Sequence, residues 1–240
     1  MSSWALLGSG EFQPWSEAAD RFLLGSSTGD GRVVIVPTAS SLEGEHVFDD
    51  WGRKGLEHFA SIGVNAEVLP VRSRDDAERP ELAARLDGAS IVYVSGGNPA
   101  HLSEVMRGTA VWAALLRGLA RGMAYAGCSA GVACLTETTF DSDSEDLETI
   151  FKPGLGLVRR ALFGPHWDIV DTWLPGASAF IVGSVDDGVV FVGIDEDTAM
   201  LGDGLAWHVH GRGAVHVRTD GAFSRHGDGD RFELPLTIEV

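Results

Sequence analysis

The chain has 240 residues, enough for one substantial core, and is expected to form a single domain over 1–240. Its 35 acidic and 18 basic side chains give a formal charge of −17, which argues against a nucleic-acid partner because phosphate binding needs a basic face. No apolar run is long enough to span a bilayer, no charged-then-apolar leader opens the chain, and Cys128 and Cys134 do not suggest a disulfide framework, so a cytoplasmic protein without a membrane partner is expected.

Strand and helix signals alternate through the first two thirds. Trp4–Gly8 is a short apolar run, and Trp15–Leu24 has helical spacing. Arg32–Val36 reads as a buried strand stopped by Pro37, and Glu45–Ile62 as a long amphipathic helix. A strand over Ala66–Val71, a helix over Pro80–Leu86 and a strand over Ser90–Val94 follow, the last ending in Ser95-Gly96-Gly97-Asn98-Pro99. A helix over Trp112–Arg121 leads into the apolar run Gly122–Ala126. Val/Ile runs separated by helices predict an α/β fold with a parallel sheet covered on both faces, and ligands of such sheets collect at C-terminal strand ends. The last third is strand-rich. After a polar, acidic run over Thr136–Thr149, read as a solvated loop or as one that attracts a substrate amino group, come a strand over Val189–Ile194, a hairpin over Ala206–Val217 turning at Gly211-Arg212-Gly213, and an edge strand over Arg231–Leu236.

Gly127-Cys128-Ser129-Ala130-Gly131 follows a predicted strand and reads as a nucleophile elbow, a sharp strand-to-helix turn that presents one hydroxyl beside a free backbone N–H. The plainer reading is a Gly-rich turn with an idle serine. A serine hydroxyl needs a base to take its proton and a third group to orient that base. His166, in Gly164-Pro165-His166-Trp167-Asp168, is the best-constrained histidine, with Pro165 restricting the chain and Trp167 able to exclude water. His208 and His210 share a strand face and could bind a metal, but no further ligand is evident, so neither metal nor cofactor is expected.

Four segments together resemble the aspartyl dipeptidase (peptidase E) and cyanophycinase family of serine peptidases: Val33–Ser40, Val94-Ser95-Gly96-Gly97-Asn98 with Leu102, the elbow, and Pro165-His166-Trp167 with Gly193–Ala199. The resemblance implies a three-layer fold with a mostly parallel central sheet, like that of class I glutamine amidotransferases (flavodoxin-like), with serine as nucleophile. It implies Ser129 as nucleophile, His166 as general base, and Gly97 as one oxyanion donor. Ala130 N–H would be the second donor, and such a donor is typically worth about 3–4 kcal/mol of barrier. The triad acid is Glu196 by the cyanophycinase branch, or Asp141 or Asp143 by the peptidase E branch; Glu196, just beyond the Val189–Ile194 strand, is preferred because a triad acid must be fixed. Asn98 and Trp167 are read as substrate-binding. The substrate would be a small peptide or amide, cleaved through an acyl-enzyme, and a homodimer is a further expectation from relatives.

The chain departs from that pattern where relatives carry recognition arginines: Asp168–Val182 contains neither Arg nor Lys, and Gly164 and Pro99 replace an acidic residue and a Gln. Bidentate capture of a carboxylate normally needs Arg, which speaks against specificity for an N-terminal aspartate and against cyanophycin cleavage. Trp167, Trp173 and Phe180 suggest a more apolar pocket. Two other readings stand beside this one. The chain could be a catalytically silent amidotransferase-like domain that binds a small molecule or peptide. It could also be an α/β-hydrolase whose base is His208, His210 or His216.

Overall fold

The computed structural model of the chain describes residues 2–240. Its central sheet has eight strands in the order Arg231–Glu233, Ala206–Gly211, Thr198–Gly202, Trp4–Leu7, Ala124–Cys128, Ile91–Val94, Val33–Val36, Ala66–Val68. The four pairings from Trp4–Leu7 out to Ala66–Val68 are parallel, and the other three are antiparallel. The alternation of side chains explains the unbroken Val/Ile runs. Val33 and Ile35 join Leu7, Tyr93 and residues of helices Glu17–Ser26 and Glu45–Ser61 in one core. Val34 and Val36 join Leu6, Val92 and residues of helices Pro99–Met106 and Ala110–Ala120 in another. Both faces are therefore dry, as a parallel sheet requires, and the layering fits a flavodoxin-like α/β fold.

Element boundaries follow local chemistry. The strand starting at Ala66 ends at Val68 rather than Val71: Leu69 N–H still reaches the Ile35 carbonyl at 2.8 Å, but Pro70 has no N–H to continue the ladder. The helix predicted from Trp112 begins two residues earlier, because Thr109 caps it by accepting from Trp112 N–H at 3.3 Å.

The predicted hairpin over Ala206–Val217 is not formed. Ala206–Gly211 pairs with Thr198–Gly202 and Arg231–Glu233 in the central sheet. Ala214–Thr219 instead belongs to a second, four-stranded sheet ordered Ala222–Gly227, Ala214–Thr219, Val190–Ile194, Ala161–Pro165. The Gly211-Arg212-Gly213 turn bonds outward, Arg212 N–H to the Asp197 carbonyl at 3.0 Å and Gly213 N–H to Thr198 Oγ1 at 2.9 Å. It thus carries the chain from one sheet to the other instead of folding it back. Phe163, Val192, Ile194, Val215 and Val217 of the second sheet complete the core on the Val34 and Val36 side.

The acidic run is a mostly exposed loop over 141–149, as expected, while its first residues fold in. It is bracketed by an antiparallel ribbon of Thr138–Phe140 and Phe151–Pro153. Phe140 and Ile150 sit in a third apolar cluster with Leu162, Ala177, Ile181 and Phe191.

Candidate active site

Ser129 ends the turn after strand Ala124–Cys128 with φ 50° and ψ −107°, a conformation that an L-residue adopts only under constraint. The constraint is visible on both arms. A Cβ on Gly127 would stand 2.4 Å from the Gly131 carbonyl oxygen, and one on Gly131 would stand 2.2 Å from the Val94 carbonyl oxygen. The Leu7 carbonyl accepts Ser129 N–H at 3.0 Å, and helix Ala130–Ala133 leaves at once. The absence of side chains at Gly127 and Gly131 thus lets the arms of the turn and the neighbouring strand approach closely.

The second sheet supplies the partners. Ala161–Pro165 and Val190–Ile194 run parallel, with Pro165 opposite Ile194, so residues just past their C-terminal ends emerge side by side. His166 is one residue beyond the first strand and has a left-handed φ of 52°. Glu196 is two beyond the second; Asp168 Oδ1 accepts its N–H at 2.8 Å, and Thr198 Oγ1 donates to its carbonyl at 2.9 Å. The result is a chain of contacts: Ser129 Oγ to His166 Nε2 at 2.9 Å, and His166 Nδ1 to Glu196 Oε1 at 3.1 Å. His166 and Glu196 are partly buried, and the Trp173 ring lies 4.8 Å from the imidazole, centroid to centroid.

Gly97 faces the same cavity as Ser129 and Ala130. Its φ is 136°, and a Cβ there would stand 2.3 Å from the Ala39 carbonyl carbon, so only glycine fits. Its neighbours are committed, Gly96 N–H to Glu11 Oε1 and Asn98 N–H to the Ala39 carbonyl, both at 2.9 Å. Gly97 N–H and Ala130 N–H have no protein acceptor among the described residues. Two free amides therefore border the hydroxyl.

Asp141 and Asp143 stand elsewhere. Both accept from Asn98 Nδ2 at 2.9 Å, and the Asn98 side-chain oxygen caps helix Pro99–Met106 by accepting from His101 N–H at 3.0 Å. With both ends of its amide committed, Asn98 meets the cavity through those two aspartates. Trp167 lines the cavity while its ring packs on Phe191 at 4.5 Å between centroids. The later histidines bond away from Ser129: His216 Nε2 to Asp195 Oδ1 at 2.9 Å, and His210 to the Trp15 carbonyl and Asp228. His208 packs edge-on against Phe22. Among the described residues, no three His, Cys, Asp or Glu side chains gather as a metal cluster.

Two contacts have no counterpart in the sequence reading. The buried Glu11 bonds Gly96 N–H through Oε1 and the Cys128 thiol through Oε2 at 2.8 Å, which ties the Gly-Gly turn to the elbow. The available signal was Gly8-Ser9-Gly10-Glu11, a carboxylate in a glycine turn at the end of the first strand. Arg212, at the sheet crossing, lies 3.5 Å from Glu196 Oε2 and 3.1 Å from Asp197 Oδ2. Replacing Glu11 by Ala would leave two buried donors unpaired; we expect a loss of roughly 1–3 kcal/mol in a denaturant melt. Glu11→Gln offers only one acceptor oxygen to the same two donors and is expected to lower kcat about tenfold by loosening the Gly96-Gly97 turn.

Cys128 adjoins Ser129 but is built to be inert. Burial, with the Glu11 carboxyl next to it, pushes its thiol well above the ordinary value, and burial pushes Cys134 up to about 12. The thiolate is the reactive form. Ellman's reagent at neutral pH is therefore expected to find no thiol in the native protein and two after unfolding. A native thiol that reacts rapidly would contradict this account.

The chain is thus a flavodoxin-like α/β protein in which a sharp strand-to-helix turn at a parallel strand end meets an imidazole and a carboxylate brought from a second sheet. Comparison narrows the class. The family model of Peptidase family S51 matches residues 4–209, and the chain belongs to that family. A cyanophycinase of Synechococcus elongatus is 31% identical over 201 residues, which cover 78% of this chain and 58% of that protein. A cyanophycinase of Trichormus variabilis is 27% identical over 198 residues, 77% of this chain and 62% of its own. The match thus spans about three fifths of these relatives' length. A crystal structure of a peptidase from an acI-B1 Actinobacterium superposes with a TM-score of 0.88 at 26% identity, covering 98% of this chain and 97% of that one. A structure from Listeria monocytogenes EGD-e, with a TM-score of 0.65 at 22% identity, shares the fold.

Proposed function

We propose that this chain is a serine peptidase that cleaves small peptides through Ser129, His166 and Glu196. The observation that carries the reading is the 2.9 Å contact of Ser129 Oγ with His166 Nε2, continued from Nδ1 to Glu196. In this scheme His166 takes the hydroxyl proton as Oγ attacks the carbonyl carbon. The carbonyl π electrons move onto oxygen, where Gly97 and Ala130 N–H donate to the developing charge. The tetrahedral adduct collapses, the C–N bond breaks, and His166 returns the proton to the leaving amine. Water then repeats the sequence on the acyl-Ser129 ester and releases the acid. Glu196 accepts from Nδ1–H, which keeps Nε2 free as the base and stabilises the imidazolium once formed. Membership of a peptidase family supports the amide-hydrolysing chemistry.

The test is covalent capture. A fluorophosphonate probe is expected to label wild-type protein on Ser129, found by mass spectrometry of the tryptic peptide, and to leave Ser129→Ala unlabelled. Equal labelling of the two, or labelling at another serine, would count against the mechanism.

A further inference from the structure

The cavity in front of Ser129 encloses about 770 Å³ and has two chemically distinct parts. The inner part is apolar, formed by Phe140, Ile150, Val170, Leu174, Ala177 and Ile181, with Trp167 and Trp173 beside His166. The residues of this floor belong to the third apolar cluster, and Trp173 is 61% exposed, an indole left open at the cavity mouth. The outer part is acidic: Asp141, Asp143 and Glu145 border it together with Ser142 and Ser144. No lining residue is Arg or Lys.

The two aspartates are held without being neutralised. Asn98 Nδ2 fixes both, and Asp143 N–H adds a bond to Asp141 Oδ1 at 3.2 Å, but these donors are uncharged. Neither aspartate nor Glu145 forms an ion pair among the described residues. Asp141 and Asp143 also line a neighbouring groove with His101, Arg107 and Lys152; the Arg107 guanidinium is spent on the Pro153 and Gly154 carbonyls, and among the described residues Lys152 forms no ion pair with either aspartate. A cation arriving in the cavity would meet fixed, unpaired carboxylates. An acidic side chain would meet the same charge and then an apolar floor with nothing to pair it.

We propose, on the serine-peptidase reading above, that the substrates are short peptides with a free amino terminus, whose ammonium sits against Asp141 and Asp143 while an uncharged apolar side chain fills the inner cavity. Peptides that present an acidic residue to the cavity are rejected.

The experiment compares kcat/KM for aminoacyl and dipeptidyl coumarylamides. Leu, Phe and Asp occupy the variable position, each with a free and with an acetylated amino terminus. Fluorophosphonate labelling of the same preparation runs beside it. Free-amine Leu and Phe substrates are expected to exceed their Asp counterparts by about tenfold or more, and acetylation is expected to cost a similar factor. The acetylation penalty should shrink toward unity in the double variant Asp141→Asn, Asp143→Asn, which keeps acceptor oxygens for Asn98. Should that variant fail to fold, the wild-type acetylation ratio decides alone. An Asp substrate cleaved as well as Leu or Phe, an acetylation ratio near one, or a labelled enzyme that cleaves none of the panel overturns the proposal while leaving the serine mechanism in place. Absent labelling would instead count against the mechanism. Calorimetry of Leu-Leu amide, Asp-Leu amide and acetyl-Leu-Leu amide with Ser129→Ala then reads the same selectivity without turnover, and equal affinities would overturn it.

Discussion

Ser129→Ala and His166→Ala are each expected to lower kcat by on the order of 10⁶, and the double variant by no more than either alone. In the proposed mechanism the two groups act as one device. Without the imidazole the hydroxyl at 2.9 Å is an ordinary alcohol, and without the hydroxyl the imidazole has no proton to take. Residual hydrolysis would come from the two free amides and from binding. Independent, additive losses would mean that the pair does not share a step. The same position makes a stability prediction of opposite sign. Ala keeps the Cβ that the φ of 50° strains, whereas Ser129→Gly removes it. We expect Ser129→Gly to be inactive yet more stable than Ser129→Ala by about 1 kcal/mol in a denaturant titration, part of the relief being offset by the added freedom of the unfolded chain. A glycine variant less stable than the alanine variant would show that the elbow stores no strain.

What could be read from the residues alone was whatever is encoded locally. The VVIV and IVYV runs announce strands buried on both faces, because only a sheet covered twice tolerates them. Gly127 and Gly131 announce a turn whose arms nearly touch, and Pro165 before His166 a chain with few options. The position of Glu196 just past a β-run was legible in the same way. What escaped was set by contacts distant in sequence. Alternation over Ala206–Gly211 and Ala214–Thr219 shows that each is a strand, but a period of two says nothing about which partner each pairs with, and the two joined different sheets. That Asp141 and Asp143 are fixed within their exposed loop was not legible, because the Asn98 amide that bonds them is 43 and 45 residues away. Glu11 is tied to groups 85 and 117 residues away, and no pattern within its own segment could point to them.

The choice between Glu196 and the two aspartates has the second-largest expected effect. Glu196→Gln is expected to lower kcat by about 10⁴, with the fold unchanged. A glutamine fits the space, but it can turn an N–H toward His166 Nδ1, 3.1 Å away in the native contact. That hydrogen bond favours the tautomer with the proton on Nε2, the atom that must accept from Ser129, and it removes the negative charge that steadies the imidazolium. Asp141→Asn and Asp143→Asn, tested singly on acetylated peptides, should keep kcat within about tenfold of wild type, since neither carboxylate bonds the imidazole and an asparagine still accepts from Asn98. Arg212→Ala should likewise have a small effect, because its guanidinium is 64% exposed and solvent screens its attraction for Glu196 Oε2. The contrast separates the candidates by magnitude. If Glu196→Gln retained most of its activity while Asp141→Asn or Asp143→Asn lost it, the acid would have to reach His166 through a rearrangement of the 141–143 segment that breaks its bonds to Asn98. Removing those bonds from the other side, with Asn98→Ala, should then raise rather than lower the rate.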